Sequence, residues 1–158
     1  MTLQLQSHHL QAIRTHAAAT YPHECCGILL GEMSVEAAKL VVEVHPTENV
    51  WRPEQEQQFA TVTGLTRSNR GKQDSFTIDP QALLKIQKEA RARDLQILGF
   101  YHSHPDHPAT PSEFDRAIAW PEYSYLIITV PQGKPGELLS WQLDTQGQFQ
   151  PEVMEITA

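Results

Sequence analysis

Four polar residues in one short segment have the types and spacing of a metal site. His102 and His104 are two positions apart, and the apolar run before them, 95–101, is typical of a buried strand. Alternate residues of a strand point to the same side, so both imidazoles would face the same way. Ser112 and Asp115 are three apart, which places them on one face of a helix. Two imidazoles and one carboxylate suit Zn²⁺, with a fourth position left for water.

The helix that would carry Asp115 has strong start signals. Thr110 suits the N-cap, Pro111 suits the first helical position, and Glu113 would complete a Thr-x-x-Glu capping box. A carboxylate in a first turn is also favourable near the positive end of the helix dipole. Asp115 taken alone therefore does not establish a ligand.

The combined motif resembles the signature of the JAMM (MPN+) metallopeptidases. That signature is His-x-His, seven residues, Ser, two residues and Asp, and it matches His102, His104, Ser112 and Asp115. The family also has an upstream glutamate. Glu24 opens the stretch Glu-Cys-Cys-Gly-Ile-Leu-Leu-Gly, which is similar to the family's Glu-x-Cys-Gly-x-Leu-x-Gly. The resemblance covers nearly the whole chain.

The resemblance implies a zinc-dependent peptidase or isopeptidase. It implies one zinc ion held by His102, His104 and Asp115, with Glu24 taking the proton of the attacking water and Ser112 donating to the oxyanion. The implied substrate is the C-terminal Gly-Gly tail of a ubiquitin-like or sulfur-carrier protein. A stand-alone domain of this size resembles the small prokaryotic members that act on sulfur carriers.

The elements that would position these residues mix strands and helices. A helix is predicted from a cap at Ser7, and a second, 80–93, has Asp79 as cap and Pro80 at its start. Strands are predicted at 26–30, 39–44, 75–79, 95–101, 125–130, 138–143 and 149–156. This order predicts an α/β fold, a mixed central sheet flanked by helices, in a single domain spanning 1–158. It is consistent with the cytidine-deaminase-like fold that the resemblance implies.

The segment 46–74 has little apolar periodicity and is dominated by polar residues. A connection of this length is usually functional or mobile. We predict a flexible insertion here, with a short helix at 54–62 that contains Phe59. It would be either a flap beside the substrate groove or a disordered surface loop.

Composition limits the class of protein further. The chain has 158 residues and a net charge of −7, which argues against binding to nucleic acid or to anionic membranes. An apolar run of signal-peptide or membrane-spanning type is not found in the sequence, so a cytoplasmic location is expected. The adjacent Cys25 and Cys26 suggest reduced thiols, either packed at a strand start or acting as extra ligands or a redox switch. Nothing in the sequence sets the oligomeric state.

Three alternatives share parts of the pattern. A metal-free MPN scaffold would lack the ligands, and a nucleobase deaminase would carry a later Pro-Cys-x-x-Cys, which is absent from the sequence. A RadC-like protein would share His-Ser-His-Pro but would usually carry a DNA-binding region. Three further side chains have simpler interpretations. His107 is expected to be a loop residue rather than a ligand, and Phe114 and Trp120 are expected to be core or sheet-facing residues.

Overall fold

A computed structural model describes residues 2–65 and 70–158. The predicted insertion, 46–74, therefore lies partly outside the described residues and stays a prediction as a whole. The described part contains seven strands and four α-helices. In chain order these are β1 (Thr2–Gln6), α1 (Ser7–Thr20), β2 (Cys26–Met33), β3 (Ala38–Thr47), α2 (Gln55–Thr63), α3 (Pro80–Ala92), β4 (Gln96–Pro105), α4 (Glu113–Ile118), β5 (Ser124–Val130), β6 (Leu138–Leu143) and β7 (Phe149–Thr157).

The strands form a closed barrel in the order β1-β3-β2-β4-β5-β6-β7. The sheet is mixed, because β4 and β5 are parallel and β1 is parallel to both β3 and β7, while the other pairs are antiparallel. The predicted α/β class with a mixed sheet is confirmed. The closure was not predicted, since it depends on β1, which the sequence analysis missed. With β1 in place, α1 begins after Gln6 rather than after a Ser7 cap.

β2 is buried on both faces. Leu29 belongs to the cluster that includes Ile13 of α1, whereas Ile28 and Leu30 pack with Ile86 of α3. Strands covered on both sides read as continuous apolar runs rather than as an alternation. This explains the Gly-Ile-Leu-Leu-Gly run, and it makes β2 a fixed support for the residues that precede it.

A glycine sets the close approach of β2 to β4. Gly27 pairs with Tyr101, and the neighbouring pair is Cys26 with His102. Tyr101 is fully buried, and its hydroxyl lies 2.7 Å from Nδ1 of His16. A Cβ built on Gly27 would overlap the Tyr101 ring. The bare backbone at this position therefore holds the start of β2 directly against the strand that carries the histidines.

Replacing Gly27 with alanine should destabilise the fold. The added methyl group has to displace a buried ring, and overpacking of this kind costs about 1–3 kcal/mol. Guanidinium denaturation would measure the loss. If the cause is the clash, the double variant Gly27→Ala/Tyr101→Leu should lose less stability than the sum of the two single variants. Additive losses would contradict this explanation.

Two predictions about local structure are wrong. The strand predicted at 75–79 is not formed, because the backbone of Ser75 and Thr77 bonds to the side chain of Asn49 instead of to a neighbouring strand. Trp120 is not core, since it lies beyond the end of α4 and is 62% exposed. Phe114 is buried as predicted.

The described residues contain no helix long and apolar enough to cross a membrane.

Candidate metal centre

The two histidines lie inside β4 rather than beyond its end. The predicted strand stopped at residue 101, but β4 continues to Pro105 because β5 pairs with it along its whole terminal part. His102 is opposite Ile127 and His104 is opposite Thr129. Both imidazoles are buried. They are therefore held by a strand that is hydrogen-bonded to neighbours on both sides.

The helix after them begins two residues later than predicted. Its N-cap is Ser112 rather than Thr110, and its first residue is Glu113. The backbone N–H of Asp115 donates to Oγ of Ser112 at 3.1 Å, and the N–H of Ser112 donates to Oδ2 of Asp115 at 2.8 Å. This reciprocal capping box replaces the predicted one. The same two side chains thus start the helix and face the histidines.

The three predicted ligands converge on one point. Nε2 of His102 lies 3.1 Å from Oδ1 of Asp115, and Nε2 of His104 lies 3.1 Å from Oδ2. The two Nε2 atoms are 3.1 Å apart. Ligand atoms bound to one zinc ion in tetrahedral geometry are separated by about 3.3 Å, given bond lengths near 2.0–2.1 Å. The donor types and their spacing, with one ligand atom of each residue within 4.8 Å of the others, are therefore compatible with a metal ion.

Contacts behind the histidines set which nitrogen faces the site. Nδ1 of His104 lies 2.8 Å from the carbonyl of Pro108, so Nδ1 carries the proton and Nε2 is left for a metal. The ring of Phe76 stacks on that of His102, with centroids 4.6 Å apart and planes at 23°. Both imidazoles are thus oriented before anything binds.

Asp115 supplies an anionic group to the cluster. Burial would raise the pKa of Asp115, but its interactions with His102 and His104 outweigh burial and lower that pKa. Burial lowers the pKa of His102, whereas Asp115 and the carbonyl of Pro108 raise the pKa of His104 against the effect of burial. A metal binds the ionised carboxylate and the neutral form of each imidazole, so its binding would release any proton on His104.

Glu24 shares a cleft with this cluster. Its side chain is buried, and the cleft, of about 500 Å³, is also lined by His104 and Ser112. The N–H of Glu24 donates to the carbonyl of Lys72 at 2.7 Å. The fold therefore brings the upstream glutamate of the motif to the residues far along the chain. His107 also lines the cleft, but it lies in the turn after β4 and outside the three-residue cluster.

A family model decides the relationship. The model of the prokaryotic homologues of the JAB domain matches residues 6–144. The chain belongs to this family. This JAB domain family is the JAB/MPN group that the JAMM motif resembles, so the resemblance is confirmed.

Two named relatives of this JAB domain are a desampylase and a probable protease. The desampylase of Haloferax volcanii is 32% identical over 126 residues, which cover 79% of this chain and 75% of the relative. A probable TtuB-protein conjugate cleaving protease of Thermus thermophilus is 31% identical, and the match covers 75% of this chain but only 64% of that protein. A solution structure of protein DSY2949 from Desulfitobacterium hafniense superposes with a TM-score of 0.75 at 26% identity, covering 99% of this chain and 93% of that one.

The two cysteines of the JAB domain are packed against the barrel. Cys25 and Cys26 are free and buried. Burial raises the pKa of Cys25 to about 12 and that of Cys26 to about 11, so both stay protonated at neutral pH. The interpretation as packed thiols therefore fits better than that of a metal ligand or redox switch, which needs thiolate.

Three parts of this site were not predicted from the sequence. These are the Phe76 ring on His102, the Pro108 carbonyl behind His104, and Asn49, whose side chain bonds to the carbonyl of Glu24. Each acts through a contact between residues that no local pattern connects. The only available signal was the proline-rich composition of the turn after His104, which indicated a shaped loop without showing its contact.

Proposed function

We propose that this protein is a zinc-dependent peptidase or isopeptidase that hydrolyses the amide bond at the C-terminal Gly-Gly tail of a ubiquitin-like or sulfur-carrier protein. The observation that carries the proposal is the buried cluster of His102, His104 and Asp115, which reaches through His104 a cleft that Glu24 and Ser112 also line. A metal-free scaffold would have no use for a buried, oriented ligand set of this kind.

Each residue has a defined role in this proposal. His102, His104 and Asp115 would hold one zinc ion, which when bound lowers the pKa of water and polarises a carbonyl. Glu24 accepts the proton of the attacking water and passes it to the leaving amine. Ser112 Oγ accepts a hydrogen bond from the N–H of Asp115, and its own O–H remains to donate to the developing oxyanion.

The substrate class is supported by the relatives and by the surface beside the cleft. One relative is named a desampylase, and another is named for cleaving TtuB-protein conjugates. An apolar groove of about 670 Å³ lies between α2 and α4, and Phe114 lines both this groove and the cleft. Val62 and Trp120 are exposed apolar side chains along it. We propose that the groove receives the folded body of the ubiquitin-like protein while its tail enters the cleft.

The free, protonated thiols support a reducing, cytoplasmic location.

Intact-mass spectrometry would test the activity directly. A sulfur-carrier protein ending in Gly-Gly would be supplied with a short C-terminal extension, beside a second form linked through its tail to a lysine side chain. Zinc-loaded protein should release the extension or the lysine conjugate, and chelated protein should release neither. Zinc bound at one ion per chain with neither substrate cleaved would contradict the proposed substrate class. Absence of zinc binding would contradict the enzyme proposal itself.

Ser112→Ala should weaken catalysis and stability together. The variant loses the oxyanion donor, which is worth about 10²–10³ in kcat, and it loses the cap of α4, which is worth about 1 kcal/mol. Ser112→Thr keeps both the hydroxyl and the cap and should retain most of both. Steady-state rates and thermal melts would measure the two effects. An unchanged kcat in Ser112→Ala would show that another group stabilises the oxyanion.

A further inference from the structure

We infer that Asn49 is a positioning residue that fixes Glu24 and Phe76 against the metal ligands. This inference rests on the proposed function, because it concerns the same site. Asn49 follows β3 and is buried, with 7% of its surface exposed. It touches none of the three ligands in the contacts of the described residues, so its effect on the site would be indirect.

The carboxamide of Asn49 uses its full hydrogen-bonding capacity. Its Nδ2 donates to the carbonyl of Glu24 and to the carbonyl of Ser75, each at 3.0 Å. Its Oδ1 accepts from the N–H of Trp51 at 3.1 Å and from the N–H of Thr77 at 3.2 Å. A buried amide with two donor and two acceptor contacts joins three separate segments of backbone. Replacing it leaves several buried backbone groups unpaired.

The arrangement controls the ring that covers His102. The contacts to Ser75 and Thr77 lie on either side of Phe76, and Phe76 is the residue stacked on His102. The N–H of Val50 adds a further bond to the carbonyl of Thr77 at 3.0 Å. Asn49 thus forms hydrogen bonds to the backbone on both sides of Phe76. These bonds fix the distance between the Phe76 ring and the His102 imidazole.

The hydrogen bonds of Asn49 also help to fix the position of Glu24. The backbone of Glu24 is held by Asn49 at its carbonyl and by Lys72 at its N–H. Both partners come from the segment between β3 and α3. The backbone that carries the Glu24 carboxylate, directly before β2, is therefore held by two contacts to this segment. A displacement of about 1 Å of a reacting group costs on the order of 10²-fold in rate.

Two variants distinguish the donor bonds of the Asn49 side chain from its acceptor bonds. Asn49→Ala removes all four bonds, whereas Asn49→Asp keeps the shape and both acceptor bonds but cannot donate to Glu24 and Ser75 as a carboxylate. At saturating zinc, both should lower kcat by roughly 10²-fold with KM changed by less than about threefold. Ile13→Val, on the buried face of α1, is a control for loss of stability and should keep the wild-type kcat. Asn49→Asp with wild-type kcat would overturn the inference.

Amide hydrogen exchange provides a readout that does not need catalysis. In Asn49→Ala the N–H of Glu24 should exchange at least about tenfold faster, because its bond to Lys72 is no longer supported from the other side. Amides of β4 opposite β5 should be unchanged. If the wild type cleaves no substrate, the proposed function fails while this exchange experiment still decides the inference. An unchanged Glu24 amide would refute the positioning role whatever the activity.

Discussion

Glu24→Gln should lower kcat by about 10²–10⁴-fold while leaving zinc binding intact. The amide has nearly the shape of the carboxylate but cannot accept the proton of water, and loss of a positioned general base has an effect of this size. Glu24 lines the cleft but is outside the cluster of three converging ligand atoms. The variant should therefore bind zinc at one ion per chain with the affinity of the wild type. Single-turnover cleavage of the extended sulfur carrier and zinc titration would measure the two quantities.

Glu32→Gln is the matched control. Glu32 lies on β2, the strand that Glu24 precedes, and is exposed, so the same chemical change is made away from the cleft. This variant should cleave at the wild-type rate. A Glu24→Gln protein that retains the wild-type kcat would show that another group takes the proton. Equal losses in both variants would indicate a general effect of charge on the acidic chain rather than a catalytic role.

Asp115→Asn should weaken zinc affinity by more than about 10²-fold. Loss of a group that only orients a ligand costs about 10–100-fold, and loss of the anionic ligand itself should cost more. Asparagine can still accept the N–H of Ser112, so the start of α4 should survive the change. Asp115 is buried beside the two histidines, and an asparagine of nearly the same shape should stay buried there. The variant therefore tests the role in metal binding separately from the role in capping the helix.

Zinc affinity would be measured by competition with a chromogenic chelator. Asp94→Asn is a suitable control, because Asp94 is exposed in the turn before β4 and has φ = 56°, a conformation that asparagine adopts readily. Its zinc affinity and activity should equal those of the wild type. Circular dichroism should show both variants folded. If Asp115→Asn held zinc as tightly as the wild type, Asp115 would have to be removed from the ligand set.

The cluster of ligands was predictable because its geometry is local. A His-x-His pair shares a face of any strand, and Ser112 and Asp115 share a face of any helix, whatever the rest of the fold does. The place of Glu24 in the same cleft was expected from the family motif alone, since no rule of spacing connects it to residues about eighty positions away.

Other features were beyond the sequence because they depend on distant pairing. The five residues of β1 contain only two leucines, Leu3 and Leu5, and become a strand because β3 and β7 flank them. The start of α4 was misplaced because two capping boxes overlap in the sequence. The Ser112 box forms, and its Asp115 carboxylate contacts the two histidines. Local sequence signals alone could not decide which of the two capping boxes forms.

The two elements that carry the proposed ligands, β4 and α4, differ in how readily they open. Inside a closed barrel, β4 pairs with β5 at both histidines and with β2 as far as His102, so the two histidines are held by the barrel itself and separate only when it opens there. α4 has six residues, and a helix of this length can open by itself at a much smaller free-energy cost. The residence time of an ion in the proposed site would then follow the local opening of α4 rather than global unfolding. A substrate seated against Phe114 would hold α4 closed, and so would keep the ion in place for as long as the enzyme is occupied.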